Sequence, residues 1–287
     1  MTQHLETKAF DVDVGDDLGL RVNDTGDGPP LLVLHGFTGS SETWAPLVPT
    51  FRSAHRLIAI DLPGHGLSSA PADPLRYSLT ALANDLARVL DAISVERAAI
   101  MGYSMGGRAA LRFALAFPDR LAALVLESTS PGIADADVRH ERIAADAALA
   151  NRIEKDGTEA FVDEWEKLPL WESQRNLPDA AREMLRKQRL SNRPIGLANS
   201  LRGAGAGTDT PVHDQLGQIR SPTLVVAGAL DRRYVEIAGV LATSIPKGRA
   251  FIVPDAGHAV HFEQPGMFAE ATVSFLRGVP SSGGRWL

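Results

Sequence analysis

Hydrophobic and polar positions alternate through residues 10–22 (FDVDVGDDLGLRV) on both sides of a Gly-Asp-Asp turn, which predicts a β-hairpin. Beyond it the pattern changes to short continuous apolar runs at 31–34, 57–60, 98–101, 121–126, 223–227 and 250–253, separated by helix-length segments. Runs of this kind suit strands buried on both faces. Their alternation with helices predicts an α/β fold, a mostly parallel twisted sheet with right-handed crossovers. The rhythm breaks after Pro131. Residues 131–210 carry no strand run and are rich in Ala, Glu, Arg and Leu at helical spacing, predicting helices over 139–153, 158–167 and 178–190. We read residues 1–130 and 211–277 as an α/β core and 131–210 as an all-helical cap inserted at the carboxyl end of the sheet, where such folds bind ligands. Residues 278–287 (GVPSSGGRWL) read as a disordered tail.

Chemistry concentrates at Gly102-Tyr103-Ser104-Met105-Gly106, between the apolar run 98–101 and a helix expected over 107–117. Gly-x-Ser-x-Gly in a strand–turn–helix setting is a nucleophile elbow. The turn is too tight for side chains beside the serine, whose hydroxyl is raised over the sheet edge. Such a serine needs a base and an orienting acid, in the chain order Ser, Asp or Glu, His. Asp231 follows the run 223–227 and His258 lies in the loop after the run 250–253. Asp255 competes with Asp231 but reads as a turn cap. His261 competes with His258 but reads as a pocket residue or one that starts a helix. An oxyanion hole would take one backbone N–H from Met105. The other would come from Phe37, in the loop His35-Gly36-Phe37-Thr38-Gly39, where His35 reads as a brace. Asp61-Leu62-Pro63-Gly64-His65-Gly66 could suggest a metal, but its Gly and Pro content reads as a tight loop, and no metal is expected.

Charge then narrows the ligand. The chain has 29 basic and 35 acidic residues, a net −6 that argues against generic nucleic-acid binding and has the wrong sign for attracting an anion unless positive charge is concentrated locally. Arg108, four residues after Ser104, should face the same way as the serine. A cation there calls for a carboxylate ligand. Residues 182–202 hold six basic residues and one acid, a second candidate source of local positive charge, or simply a solvated helix face. The excess of 24 Arg over 5 Lys suits carboxylate binding or genomic base composition equally. There is no cysteine, hence no disulfide and no thiolate chemistry, and this fits a reducing cytoplasm. No apolar stretch reaches membrane-spanning length and no signal peptide is visible, so a cytoplasmic location without membrane contact is expected. A monomer or weak homo-oligomer is expected.

Several motifs together resemble one family of the α/β-hydrolase superfamily. They are Leu34-His35-Gly36-Phe37-Thr38-Gly39-Ser40-Ser41, the elbow extended by Gly107-Arg108, and Glu127-Ser128-Thr129-Ser130-Pro131-Gly132. To these add Trp165 in Asp163-Glu164-Trp165-Glu166, Leu197-Ala198-Asn199-Ser200-Leu201-Arg202-Gly203 and Ala256-Gly257-His258-Ala259-Val260-His261. The chain is similar from about Leu31 to Leu276 to the MenH-type 2-succinyl-6-hydroxy-2,4-cyclohexadiene-1-carboxylate synthases of menaquinone biosynthesis. The elbow and the histidine loop are general to the superfamily, and the other motifs are more specific. The resemblance implies an α/β-hydrolase fold and a lyase without metal or organic cofactor. Its substrate would be a small tricarboxylate, from which a proton is removed beside the succinyl ketone and pyruvate is expelled. It places substrate contacts at Arg108, Arg142, Arg189, Tyr103 and Trp165. The cap departs from the family pattern around residues 138–147, so Arg139 stands as the alternative to Arg142. The competing reading is a hydrolase acting on an ester or on a carbon–carbon bond of a vinylogous diketone. A non-enzymatic receptor is disfavoured, because all three triad members are present.

Overall fold

A computed structural model describes residues 7–279. Eight strands form one sheet in the order β1-β2-β4-β3-β5-β6-β7-β8. They are β1 (Lys8–Asp13), β2 (Gly19–Thr25), β3 (Pro30–Leu34), β4 (Arg56–Ile60), β5 (Ala98–Tyr103), β6 (Leu121–Glu127), β7 (Thr223–Gly228) and β8 (Gly248–Val253). The hairpin β1–β2 forms as its alternation predicts and adds antiparallel to β4, while β3 to β8 run parallel. Central strands β5 and β6 are buried at every position, which explains their unbroken apolar runs. The edge strand β8 differs from the expectation of burial on both faces. It has one neighbour, β7, and only Val253 is fully buried.

The helices are α1 (Val48–Phe51), α2 (Leu79–Ala92), α3 (Met105–Ala116), α4 (Ala136–Trp165), α5 (Asp179–Leu190), α6 (Pro194–Ala204), α7 (Arg232–Ser244), α8 (Val260–Glu263) and α9 (Pro265–Arg277). Two apolar cores lie on the two faces of the sheet. Leu32, Leu34, Ile100 and Leu124 meet α2 and α3 on one side, and Val33, Met101 and Val125 share the other with Trp44, Phe51 and Phe268. Of the expected tail, Gly278 and Val279 close α9 with main-chain bonds to Phe275 and Leu276. Residues 280–287 lie outside the described residues. No helix among the described residues is long and apolar enough to cross a membrane.

Helices α4 to α6 lie between β6 and β7 in the chain and pack over the carboxyl ends of the strands. The two helices expected at 139–153 and 158–167 are successive limbs of α4, broken at Gly157, whose φ of 84° and ψ of 171° leave the helical region. A third cluster forms where the limbs fold against α6: Ala150, Ile153, Phe161 and Val162 meet Leu197, Ala198 and Leu201. Phe37 of the core joins this cluster beside Trp165, so the cap's apolar interior rests on the loop after β3. Polar contacts hold the same join. Asn192 donates to the Thr38 carbonyl at 2.8 Å and accepts from the Gly66 amide at 3.2 Å.

Candidate active site

The turn between β5 and α3 holds Ser104 at φ 50° and ψ −108°, a left-handed conformation costly for a residue with a β-carbon. The flanking glycines make it possible. A Cβ on Gly102 would lie 2.4 Å from the Gly106 carbonyl oxygen, and one on Gly106 would lie 2.4 Å from that of Leu34. The serine amide donates to the Glu127 carbonyl at 2.8 Å, and Thr129 Oγ1 donates to the Ser104 carbonyl at 2.7 Å.

Asp231, His258 and Ser104 come together in line. His258 Nδ1 lies 2.8 Å from Asp231 Oδ2, and Nε2 lies 3.2 Å from Ser104 Oγ. A carboxylate only accepts, so the proton sits on Nδ1 and the Nε2 lone pair accepts from the serine hydroxyl. Asp231 also caps α7, accepting from the Tyr234 amide at 3.3 Å. The histidine is 2% exposed, shielded by the rings of Tyr103, Trp171 and Tyr234. Phe37 and Met105 line the same cavity as the serine. Met105 opens α3, where an N–H has no intrahelical acceptor, and neither amide donates to a protein group among the described residues.

The alternatives from the sequence fall elsewhere. His261 is buried, 1% exposed, with Nδ1 donating to Glu127 Oε1 at 2.8 Å. Asp255 is an exposed turn residue. His35 is a brace: Nδ1 donates to the Gly36 carbonyl at 2.7 Å and Nε2 accepts the Leu62 amide at 2.9 Å. Asp61 spends its carboxylate on the amides of Ser41 and Leu67, and no cluster that could hold a metal exists among the described residues.

The cavity above Ser104 has a volume of about 450 Å³, in the range of small-molecule sites. Arg108 reaches its wall. Its guanidinium donates to the carbonyls of Ala204 at 2.7 Å and Gly205 at 3.0 Å at the end of α6 and has no carboxylate partner among the described residues. Burial pulls its pKa below the ordinary arginine range. Arg142 lines the cavity while paired to Asp146 at 2.8 Å. Tyr103 and Trp165 line it as well. Burial pushes the Tyr103 phenol well above its ordinary range, and the Trp165 indole N–H is buried without a partner among the described residues. Arg139 lies outside the lining, bound to the carbonyls of Ile133 and Ala134.

Arg189 is not brought to this cavity. It pairs with Glu166 at 2.9 Å, donates to Gln174 at 3.0 Å and lies 5.3 Å from the Trp171 ring centroid, beside a separate void of about 30 Å³ that Tyr103 and Trp171 also line. Most of the positive charge expected from residues 182–202 is similarly engaged, with Arg193 on the Ser68 carbonyl. Arg182 pairs with Asp179, Arg186 with Asp163 and Glu166, and Arg202 with Glu154. Sequence reasoning missed Arg152, Trp171, Arg233 and Tyr234, which line the cavity, and Glu263, whose carboxylate takes the amides on either side of His258. Arg233 had one weak signal, its place two residues after Asp231.

The family model of the alpha/beta hydrolase fold matches residues 29–265. A Bacillus subtilis (strain 168) protein provisionally named 2-succinyl-6-hydroxy-2,4-cyclohexadiene-1-carboxylate synthase is 42% identical over 265 residues, spanning 91% of this chain and 96% of that protein. The synthase of that name from Serratia proteamaculans (strain 568) is 32% identical over 254 residues, 87% of this chain and 94% of its own. Among solved structures, MenH from S. aureus matches with a TM-score of 0.84 at 34% identity, covering 96% of this chain and 98% of that one. The assembled elbow, the mostly parallel sheet and these likenesses agree: the chain belongs to the alpha/beta hydrolase fold family and, within it, to the family of the 2-succinyl-6-hydroxy-2,4-cyclohexadiene-1-carboxylate synthases.

Proposed function

We propose that the protein eliminates pyruvate from 2-succinyl-5-enolpyruvyl-6-hydroxy-3-cyclohexene-1-carboxylate, giving 2-succinyl-6-hydroxy-2,4-cyclohexadiene-1-carboxylate in menaquinone biosynthesis. The observation that carries this reading is a hydrogen-bonded Ser104–His258–Asp231 line opening on a cavity whose wall includes Arg108, a half-buried guanidinium with no carboxylate partner among the described residues. Such a cation is costly in an apolar pocket and suited to an anionic ligand.

The chemistry follows from those groups. His258 takes the Ser104 hydroxyl proton, and the serine oxygen removes the ring proton beside the succinyl ketone. The electron pair moves onto the ketone oxygen, where the Phe37 and Met105 amides meet the developing charge. Collapse of the enolate forms the second ring double bond and breaks the bond to the enolpyruvyl oxygen. The proton held by His258 returns through Ser104 to the departing group, which leaves as pyruvate. Asp231 keeps the imidazole in the tautomer this relay requires and stabilises the imidazolium. No acyl-enzyme forms. Arg142 and, after movement within the cap, Arg189 supply further guanidinium contacts, with Tyr103 and Trp165 bounding the ring.

The test supplies the enolpyruvyl substrate and follows pyruvate by a coupled dehydrogenase together with the diene absorbance. One pyruvate per diene is expected. Ser104→Ala should lower kcat by about 10²–10⁴ while KM stays within a few-fold. Undiminished elimination by that variant removes the serine as base. The same triad can perform ester hydrolysis. Rapid burst kinetics on p-nitrophenyl esters, without pyruvate release, would favour that chemistry instead.

A further inference from the structure

Four arginines and two aspartates line the cavity: Arg108, Arg142, Arg152, Arg233, Asp146 and Asp231. Both carboxylates are engaged, Asp146 by Arg142 and Asp231 by His258. That leaves three guanidiniums without a counter-ion. Arg108 holds only neutral carbonyls, and the side chains of Arg152 and Arg233, both exposed at the cavity mouth, have neither an ion pair nor a hydrogen bond among the described residues. Carboxylates are not scarce, since acids outnumber bases 35 to 29 and neighbouring cap arginines at 182, 186, 189 and 202 are all paired. Local structure does not favour a cation at Arg233 either. It stands in the first turn of α7, the helix end whose dipole favours negative charge, and no acidic residue occupies that turn.

We propose that Arg233 of the core and Arg152 of the cap bind carboxylates of a tri-anionic substrate, adding to Arg108 two guanidiniums that no carboxylate of the protein pairs among the described residues. The tri-anion rests on the elimination reading above, while the two arginines as carboxylate sites rest on the cavity alone. One residue belongs to each wall, so a ligand held by both ties the cap to the core.

Arg233→Gln and Arg152→Gln are compared with Arg232→Gln, an equally exposed residue with the same change of charge that does not line the cavity. Pyruvate release from the enolpyruvyl substrate and calorimetric binding of benzene-1,3,5-tricarboxylate are both measured. Each cavity variant should raise KM about tenfold with kcat within twofold and weaken the tricarboxylate by a similar factor, while Arg232→Gln changes neither. Cavity variants indistinguishable from Arg232→Gln in both assays would overturn the proposal, and a loss confined to one arginine would remove the other from the site. Should the unaltered protein release no pyruvate, the elimination reading falls. Calorimetry then decides the carboxylate site on its own, and a tricarboxylate that does not bind overturns it.

Discussion

Glu263 closes α8 and turns its carboxylate back onto the loop before it, where Oε2 accepts the Gly257 amide at 2.6 Å and Oε1 the Ala259 amide at 3.2 Å. These residues flank His258. Glu127 adds a second hold: its carbonyl fixes the Ser104 amide and its carboxylate accepts the His261 amide at 3.0 Å. The contact between serine and imidazole is thus gripped from both sides by main-chain bonds to two carboxyl residues. Glu263→Gln puts an NH₂ against one of two N–H donors and leaves an amide unpaired, at a cost of about 1–3 kcal/mol. As a positioning residue, Glu263 should lower kcat about tenfold in that variant with KM unchanged, because the substrate contacts lie elsewhere; KM rising in step with a falling kcat would place its role in binding instead. The elbow was legible because backbone packed against backbone at Gly102 and Gly106 leaves a compositional mark. Glu263 was not, since a glutamate that caps a catalytic loop looks in sequence like any charge on a short helix.

At the level of elements, side chains of α5, α6 and the turn between them join the cap to the core: Gln188 reaches Ser40 and Thr43, and Asn199 the carbonyls of Pro71 and Ala72. Asn192, 4% exposed, sits in the turn between α5 and α6 and ties it to the loops carrying Thr38 and Gly66. Asn192→Ala leaves a carbonyl and an amide unmatched, worth about 1–3 kcal/mol each where water is excluded. We expect faster amide exchange in residues 131–210 with the sheet unaffected, and a lower kcat/KM; uniform loosening of the whole chain would show that Asn192 supports the core rather than the join. The strands and the helical character of the cap could be read from apolar spacing. The engagement of its arginines could not, because Glu154, Asp163 and Glu166 meet Arg202, Arg186 and Arg189 only after the limbs of α4 fold back.

For the whole molecule, two buried histidines set a limit in acid. Burial holds His35 down to about 4, opposed by its bond to Gly36, and holds His65 down to about 3, with the neighbouring His35 adding to the effect. His35 must stay neutral, since a protonated Nε2 cannot accept the Leu62 amide. The unfolded chain takes these protons near pH 6.5, so it binds more protons than the folded chain below that value. Stability is full above about pH 6.5 and is lost as pH falls toward 4, by about 3 kcal/mol from His35 alone. Urea midpoints measured across this range should fall steadily, and His35→Asn should flatten the decline. A midpoint unchanged between pH 6.5 and 4 would contradict the neutral pair.

Gly157 carries a consequence for the reach of the cap. A Cβ placed there would meet nothing within 4 Å, so only the sign of one backbone angle reserves the position for glycine. Were it to adopt the ordinary right-handed conformation, the 30 residues of α4 would run as a single rod about 45 Å long. Phe161 and Trp165 would then leave the Phe37 ring they pack against, and the cavity above the serine would lose Trp165 from its wall. The shelter of the reaction chamber thus depends on a hydrogen atom standing where other residues carry carbon.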